Sequence, residues 1–378
     1  MNKKIILINQ ATGPLFIDMA NEYVQEYSDV ILITGKIMPT YAELNPKINV
    51  LLKKKYNNLK SYSRIYTWLV FFFQSTFYIL FTKKIDKILF VSNPPILPFI
   101  GLFLSYIKKF EYDVLVYDIY PDALLNFGYL TEKSIIYRVW EKMNEKTYKY
   151  ASRIFTISEF MKKVISRTAK EREIEVIYPW VDTSFIVPKN KSENWFVEKH
   201  KLLDKKVVLY SGNMGITHDL MVVLQAAKVL LEKKDERFQF LFIGDGVQLK
   251  DLIKFKEDNL LENVSFLPYQ DANVLPFSFT SADFGIVSLG TGAEGLSVPS
   301  KMFYLLAAGC SIISISDKDS EIEYLVNKNN LGISIEPGKI NDLVNFLIST
   351  NEAELIKAKT NSRNLSYSFT LKNAKKFL

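Results

Sequence analysis

The stretch KVVLYSG, residues 206–212, is a continuous apolar run that ends in a small polar residue and a glycine. Strands buried on both faces of a parallel sheet have unbroken apolar runs of this kind, whereas strands with one face in water alternate. Helical stretches separate such runs along this chain, and the βαβα order predicts parallel sheets covered by helices. Nine further runs match, at 4–9, 29–34, 87–92, 113–118, 153–158, 238–244, 264–268, 284–290 and 311–316.

The runs fall into two sets, separated by a segment with two prolines and little periodicity. Since 378 residues are too many for one hydrophobic core, two domains are expected. We predict an α/β fold of two doubly wound, Rossmann-like domains that face a central cleft, where ligands collect at the carboxyl ends of the strands. The expected boundaries are 1–178 for the first domain, 179–195 for the linker, 196–360 for the second domain and 361–378 for a C-terminal helix packing back toward the first.

Composition excludes several classes of protein. With 48% apolar and 24% charged residues, the chain is globular and not disordered. Its single cysteine, Cys310, excludes an internal disulfide and favours the cytosol. Its two histidines leave no metal cluster of the usual kind, so no metal is expected. The apolar run near the start is too short for a secretory signal and is better interpreted as a first buried strand.

The positive charge is concentrated in the first half. Residues 1–190 contain 26 basic and 18 acidic residues, while the remainder contains 22 and 23. The lysines alternate with the apolar stretches 66–81 and 96–110, which fall short of the roughly 20 residues of a membrane span. Two interpretations stay open: core helices of a large sheet, or an apolar face rimmed by cations that binds an anionic membrane surface. We expect no nucleic-acid partner.

Glycines follow the strands of the second set. LYSGNMG ends in Gly212, Asn213 and Gly215, and LFIGDG ends in Gly244, Asp245 and Gly246. Glycine lets a backbone approach a phosphate closely and expose its N–H groups. Each loop alone is more often a tight turn, but their convergence at one sheet edge favours a phosphate site.

The stretch GLSVPSKMFYLLAAG, residues 295–309, gives an apolar helix an unusually polar start. Pro299 suits the first helical position, with Ser297 or Val298 as the flanking cap. The helix N-terminus, the Ser300 hydroxyl and the Lys301 ammonium then fit a diphosphate. The alternative is that Ser297 only caps the helix and Lys301 is only solvated.

The stretch YDIYPDALLNFG, residues 117–128, places two carboxylates between a strand and a helix. Asp118 and Asp122 could orient an acceptor hydroxyl or act as a general base. Alternatively, Asp118 ends the strand in a turn and Asp122 favours the helix dipole. The loop NQATGP, residues 9–14, meets an acceptor or diphosphate, or is a plain turn.

Several motifs together resemble the retaining glycosyltransferases of family 4, which have the GT-B fold. They are most similar to the branch that builds bacterial surface polysaccharides. The motifs are SNPP (92–95), YDIYPDALLNFG, ASRIFTISEFMKKVI (151–165), YPWVDTSFIVP (178–188), VVLYSGNMG (207–215), FIGDG (242–246) and GLSVPSKMFYLLAAG.

This resemblance implies that the second domain binds a nucleotide sugar, with a UDP-sugar favoured and no other cofactor. It implies that the first domain binds a glycan or polyprenyl-diphosphate-linked acceptor, of lipopolysaccharide or capsule type, at the cytoplasmic face of the inner membrane. The diphosphate would lie against residues 212–215 and 296–301, and the base against residues 267–269. The implied binding residues are Gly212, Asn213, Gly215, His218, Gly244, Asp245, Leu267, Tyr269, Leu296, Ser297, Ser300, Lys301 and Tyr304, and the candidate catalytic residues are Asp118, Asp122, Glu294 and Lys301.

The chain also departs from the family pattern. Tyr304 stands where many members have a second, ribose-binding glutamate, and Glu294 lies ten residues before it instead of eight. Asn213 and His218 fall near the positions of the usual basic pair. Either Lys301 and His218 carry the phosphate charge, or donor binding is weaker, or activity is lost. Two alternatives therefore remain: a catalytically silent partner subunit, and a nucleotide-sugar epimerase.

Overall fold

A computed structural model describes residues 3–38, 42–57, 61–126, 128–290, 292–293 and 295–378, without the side chain of Ser61. The chain forms two compact units. The first comprises Met1–Tyr178, Gly295–Ser297 and Leu371–Leu378, and the second comprises Pro179–Glu294 and Val298–Thr370.

The first unit contains a seven-stranded parallel sheet with the strand order β5-β3-β1-β6-β7-β8-β9. A short parallel pair, β2 with β4, lies beside it. The strands are β1 (Lys4–Ile8), β2 (Ala11–Thr12), β3 (Asp29–Thr34), β4 (Lys36–Ile37), β5 (Ile48–Leu52), β6 (Lys87–Val91), β7 (Glu111–Val116), β8 (Ile154–Thr156) and β9 (Glu175–Val176).

In the described part of this unit, six α-helices connect these strands: α1 (Pro14–Tyr23), α2 (Ser61–Phe81), α3 (Pro98–Lys108), α4 (Asp122–Asn126), α5 (Ile135–Tyr150) and α6 (Glu159–Ala169). A 3₁₀ segment, Leu371–Phe377, packs against α1. Its residue Phe377 is buried beside Phe155, and its backbone oxygen accepts a hydrogen bond from the Tyr23 hydroxyl at 3.0 Å.

The second unit contains a six-stranded parallel sheet with the order β12-β11-β10-β13-β14-β15. This is the doubly wound order in which the chain reverses direction across the sheet between its first and fourth strands. Its strands are β10 (Lys206–Ser211), β11 (Phe238–Ile243), β12 (Val264–Leu267), β13 (Phe284–Ser288), β14 (Ser311–Ile315) and β15 (Gly332–Ile335).

The helices of the second unit are α7 (Trp195–Lys199), α8 (Met221–Glu232), α9 (Leu249–Asp258), α10 (Leu275–Thr280), α11 (Lys301–Ala308), α12 (Glu321–Asn329), α13 (Ile340–Ser349) and α14 (Glu352–Ser366), with a 3₁₀ turn at Lys191–Glu193. Residues 179–195 belong to this unit, and Trp180, Val181 and Ile186 are buried in it. The stretch 361–378 is not one helix: it holds the end of α14 and the 3₁₀ segment of the first unit.

The predicted architecture of doubly wound parallel sheets is confirmed, and all ten predicted strands form. Sequence missed mainly β5 and β15. Strand β5 lies at a sheet edge, and the exposed Asn49 interrupts its apolar run. Strand β15 lies at an edge of the sheet in the second unit, and most of its residues are only half-buried.

Helix α2 has apolar side chains on two sides. Phe71 and Ile79 are fully buried, whereas Phe73 and Phe77 are more than half exposed. Among the described residues, no helix is both long enough and apolar enough to cross a membrane.

Candidate active site

Three loops of the second unit meet at the carboxyl edge of its sheet, where β10 and β13 are neighbours. The Gly212 N–H donates to the Ile243 oxygen at 2.9 Å, and the Gly244 N–H donates to the Leu267 oxygen at 2.9 Å. The Asp219 N–H donates to the Ser288 hydroxyl at 2.9 Å, which joins the loop after β10 to the end of β13. The loops predicted to converge therefore do so.

Two glycines are required by this close packing. Gly212 and Gly244 both have φ of 139°, in the region that side chains disfavour. A Cβ atom on Gly244 would lie 2.0 Å from the Gly212 oxygen, and one on Gly212 would lie 3.3 Å from the Lys301 ammonium nitrogen. The loop after β10 is thus in direct contact with Lys301.

Lys301 is the first residue of α11, and its ammonium lies over the face of Tyr210. The distance from Nζ to the ring centroid is 3.8 Å. The nitrogen is buried and, among the described residues, has no hydrogen-bond partner. Burial lowers the pKa of Lys301 to about 7. An anion in contact with Lys301 would therefore stabilise its protonated form.

Tyr210 also organises the loop after β10 through its hydroxyl. That oxygen lies 2.5 Å from the Asn213 backbone oxygen and 2.5 Å from His218 Nδ1. Burial, assisted by the charge of Lys301, lowers the pKa of His218 to about 4. His218 is consequently neutral at pH 7, so it contributes hydrogen bonds and not charge. Sequence reasoning missed Tyr210, although its place directly before Ser211 and Gly212 was a local signal.

The start of α11 differs from the prediction. The helix begins at Lys301, and not at Pro299, and Ser300 is its N-cap without a side-chain capping bond. The N–H groups of Met302 and Phe303 donate to the oxygens of Pro299 and Ser300, so a tight turn uses donors that the prediction had assigned to an anion. The helix ends at Gly309, which has φ of 71°. Of the features predicted for an anion site here, the Lys301 ammonium is the one left without a partner among the described residues.

A cavity of about 480 Å³ opens beside the loop after β12. Gly244, Asp245, Leu267, Pro268 and Tyr269 line it. Burial, with the nearby Asp245 carboxylate, raises the pKa of the half-exposed Tyr269. The residues predicted to contact a nucleotide base thus share one cavity with Gly244 and Asp245.

Other predicted residues are placed differently. Tyr304 stacks on Phe279, with ring centroids 5.5 Å apart, and so packs within the helix layer. Leu296 and Ser297 fall in the short segment grouped with the first unit. Gly215 accepts a hydrogen bond from the Gln248 amide. Glu294 lies outside the described residues.

The two predicted carboxylates of the first unit follow β7. Asp118 is exposed to solvent, and desolvation by the surrounding protein raises the pKa of its carboxyl to about 6. Asp122 begins α4. Burial raises the pKa of its carboxyl, although the positive charge of Arg167 acts to lower it. Both pKa values move toward the range in which a carboxylate can exchange a proton. No cluster of three His, Cys, Asp or Glu side chains able to hold a metal occurs within the described ranges.

Comparisons with known proteins agree with the geometry. Residues 191–364 match the family of glycosyl transferases group 1. A probable glycosyltransferase of Pseudomonas aeruginosa, WbjE, is 26% identical over 259 residues, which cover 68% of this chain and 63% of that protein. A putative colanic acid biosynthesis glycosyl transferase of Escherichia coli K12, WcaI, is 30% identical over 142 residues, or 37% of this chain and 34% of that protein. The alignments thus span less than two thirds of either relative.

A solved structure also resembles the whole chain. The crystal structure of Anabaena HepE in complex with UDP and glucose matches with a TM-score of 0.73 at 14% identity, covering 99% of this chain and 98% of that one. This likeness confirms the predicted GT-B fold. The family match over residues 191–364 agrees with the resemblance to glycosyltransferases that the motifs predicted.

Proposed function

We propose that this protein is a retaining glycosyltransferase that moves a sugar from a nucleoside diphosphate sugar to an acceptor of a bacterial surface polysaccharide. The observation that carries the proposal is the buried Lys301 ammonium, held against the Gly212 loop without a hydrogen-bond partner in the described part of the chain. A buried, unpaired cation beside a glycine loop fits an anion such as a diphosphate.

A UDP-sugar is the favoured donor. The cavity formed by Gly244, Asp245 and residues 267–269 has the volume and mixed lining of a small-ligand site. The cavity lies at the same sheet edge as the Gly212 loop. The Gly244 N–H donates to the Leu267 oxygen, and the Gly212 N–H donates to the oxygen of Ile243 at the end of β11. The similar HepE structure contains UDP, which supports the same base here.

Lys301 would act mainly in the transition state. Negative charge develops on the leaving diphosphate as the bond to the sugar breaks, so a fixed cation there lowers the barrier more than it strengthens ground-state binding. We assign no nucleophile. A front-face transfer, in which the donor phosphate assists the incoming hydroxyl, accounts for retention without one.

The first unit would bind the acceptor. Asp118 and Asp122, with their raised pKa values, are the candidates to orient or deprotonate its hydroxyl. The named relative in colanic acid biosynthesis supports a polysaccharide acceptor. We propose a lipid-linked or lipopolysaccharide-type acceptor at the cytoplasmic face of the inner membrane.

Peripheral membrane association is part of this proposal. The exposed aromatic side chains of α2 are accompanied by Lys83 and Lys84 just beyond its end. An apolar face rimmed by cations binds anionic lipid headgroups and buries its aromatics at the interface.

Donor binding can be tested by thermal unfolding with UDP, GDP, TDP and CDP. A ligand that binds only the folded state raises the melting temperature. We expect UDP alone to give a large shift, and Lys301→Met to reduce it. No shift with any nucleotide would contradict donor binding and favour the silent-subunit alternative.

Transfer itself is tested with UDP-sugars and membrane extracts containing acceptors. Release of UDP that requires acceptor, with the anomeric configuration of the product retained, would support the proposal. Interconversion of the sugar without acceptor would instead identify an epimerase. An inverted product would contradict retention while leaving donor binding intact.

A further inference from the structure

A second cavity lies in the first unit, between the end of β5 and the start of α2. Its volume is about 1040 Å³. Three consecutive lysines, Lys53, Lys54 and Lys55, line one side, and Tyr62 and Tyr66 line the other. None of the assigned donor-site residues contributes to it.

The positive charge of this cavity is not neutralised by the described parts of the protein. None of the three lysines has a carboxylate within ion-pair distance there, and no acidic side chain is among the lining residues. Two of them lie near aromatic rings instead: Lys53 Nζ is 5.8 Å from the Tyr78 centroid, and Lys54 Nζ is 5.3 Å from the Tyr66 centroid. Three adjacent cations without counter-charges fit an anionic ligand.

The wall that carries these lysines is fixed in place. The Lys54 N–H donates to the Gln74 side-chain oxygen at 2.8 Å, and its backbone oxygen accepts from the Gln10 amide at 3.0 Å. The fully buried Gln10 also donates to the Thr67 oxygen at 3.0 Å. These bonds join the strand end to α2 from both sides, so the cavity is preformed.

Apolar surface continues from the cavity along α2. Tyr62, Tyr66, Leu69, Phe73 and Phe77 are exposed, and their spacing of three or four residues places them on one helix face. A smaller cavity of about 450 Å³ adjoins the far end of this stripe, is lined by Phe77, Tyr78 and Phe81, and shares Lys53 with the first. A ligand with an anionic head and an apolar chain would match both features.

We propose that Lys53, Lys54 and Lys55 bind the phosphate or diphosphate group of a single-chain lipid, whose chain lies along the exposed α2 stripe. Tyr62 and Tyr66 flank the phosphate. The inference rests on the proposed function, because such a lipid would carry the acceptor glycan. It assigns the lipid phosphate to the first unit, separate from the nucleotide diphosphate at Lys301.

The test is equilibrium binding of farnesyl diphosphate, below its aggregation concentration, to the full chain. The triple variant Lys53→Gln, Lys54→Gln and Lys55→Gln should weaken binding at least about tenfold, since charge-assisted hydrogen bonds are lost. The matched control is Lys142→Gln, Lys146→Gln and Lys149→Gln, which removes the same charge from exposed positions on α5 of the same unit. We expect the control to bind within about twofold of the original chain.

Equal weakening in both triple variants would overturn the proposal, because net charge alone would then explain binding. Inorganic pyrophosphate should bind more weakly than farnesyl diphosphate, and equal affinity would contradict a role for the α2 stripe. If the Lys53, Lys54 and Lys55 variant lost binding to phosphatidylglycerol vesicles but bound farnesyl diphosphate as before, the lysines would be assigned to a bilayer and the proposal would be overturned.

The UDP-induced melting shift is measured on the same variants. A retained shift shows that the chain folds and that donor binding is intact, so failure of the lipid site is distinguishable from failure of the proposed function.

Discussion

Lys301 and Tyr210 give the candidate donor site a titrating cation on an aromatic face. Because burial lowers the pKa of Lys301 to about 7, much of the lysine is neutral above that pH. A bound diphosphate favours the charged form and raises this pKa. Ligand binding and protonation at Lys301 are therefore coupled.

We predict that UDP binding takes up a proton near pH 7.5, and that affinity falls as the pH rises above 7. The free lysine must first be protonated, which costs up to about tenfold in affinity for each pH unit. Calorimetric titration in two buffers of different ionisation enthalpy measures the uptake. Lys301→Met should abolish this uptake, whereas His218, with its pKa of about 4, does not titrate in this range. Equal heats in both buffers would contradict the coupling.

A kinetic prediction follows for the same residue. Lys301→Ala should lower turnover about 100-fold while weakening nucleotide affinity by less than about tenfold, because the cation acts on charge that develops in the transition state. Steady-state kinetics and a separate UDP titration give the two values. Equal losses in turnover and affinity would indicate ground-state binding only.

At the scale of elements, Asp283 joins several parts of the second unit. Its carboxylate accepts from Lys191 at 2.5 Å, from Lys359 of α14 at 3.1 Å and from the Val207 N–H of β10 at 2.9 Å. Burial opposes ionisation, but Lys359 and Lys191 outweigh it and lower the pKa of Asp283. This one side chain ties the segment before α7, a central strand and α14 together.

We predict that Asp283→Asn destabilises the chain by about 3 kcal/mol, because two cations lose a buried partner. Urea unfolding followed by fluorescence measures this change. Since the folded pKa lies below the unfolded value of about 3.9, the contribution of Asp283 is complete above that pH and is lost as the pH falls through the folded value. Asp235→Asn, at a more exposed ion pair with Arg237, is the control and should cost less than about 1 kcal/mol.

The sequence predicted those strands and loops whose physical signal lies in their own residues. Buried parallel strands such as β10 and β13 are continuous apolar runs, so their positions follow from the residues themselves. The predicted start of α11 was wrong. Pro299 suits a first helical position in general, but the actual start depends on hydrogen bonds donated by the N–H groups of Met302 and Phe303. The glycine loops were found because small residues directly follow strands. Tyr210 was missed because its ring contact is with Lys301, which is distant in sequence. The Lys53–Lys55 cluster was missed because the cavity that it lines forms only in the folded first unit.

At the scale of the whole molecule, the exposed α2 stripe predicts binding to anionic vesicles. Phe73→Ser with Phe77→Ser should reduce cosedimentation with phosphatidylglycerol vesicles by at least about fivefold, because less apolar area is buried at the interface. Leu203→Ser with Leu260→Ser, at exposed positions of the second unit, is the control and should bind as the original chain does. Unchanged sedimentation of the α2 variant would assign this face to another role.

The last residues of the chain stabilise the first unit. Phe377 is buried against Phe155, so Phe377→Ala should destabilise this unit by about 3–5 kcal/mol. Hydrogen exchange resolved by peptide should show faster exchange in the first unit and unchanged exchange in β10–β15. Lys376→Ala, at an exposed side chain, is the matched control. Uniform loss of protection in both units would contradict a local effect.

The return of Leu371–Leu378 to the first unit has a consequence for synthesis on the ribosome. Residues 1–178 emerge first, but the hydrophobic site for Phe377 stays unfilled until some 200 residues later. At roughly 5–20 residues per second, the gap is on the order of 10–40 seconds. The second unit thus has time to fold while the first is still incomplete. A fragment ending at residue 178 would therefore represent a nascent intermediate, and not an independent half of the protein.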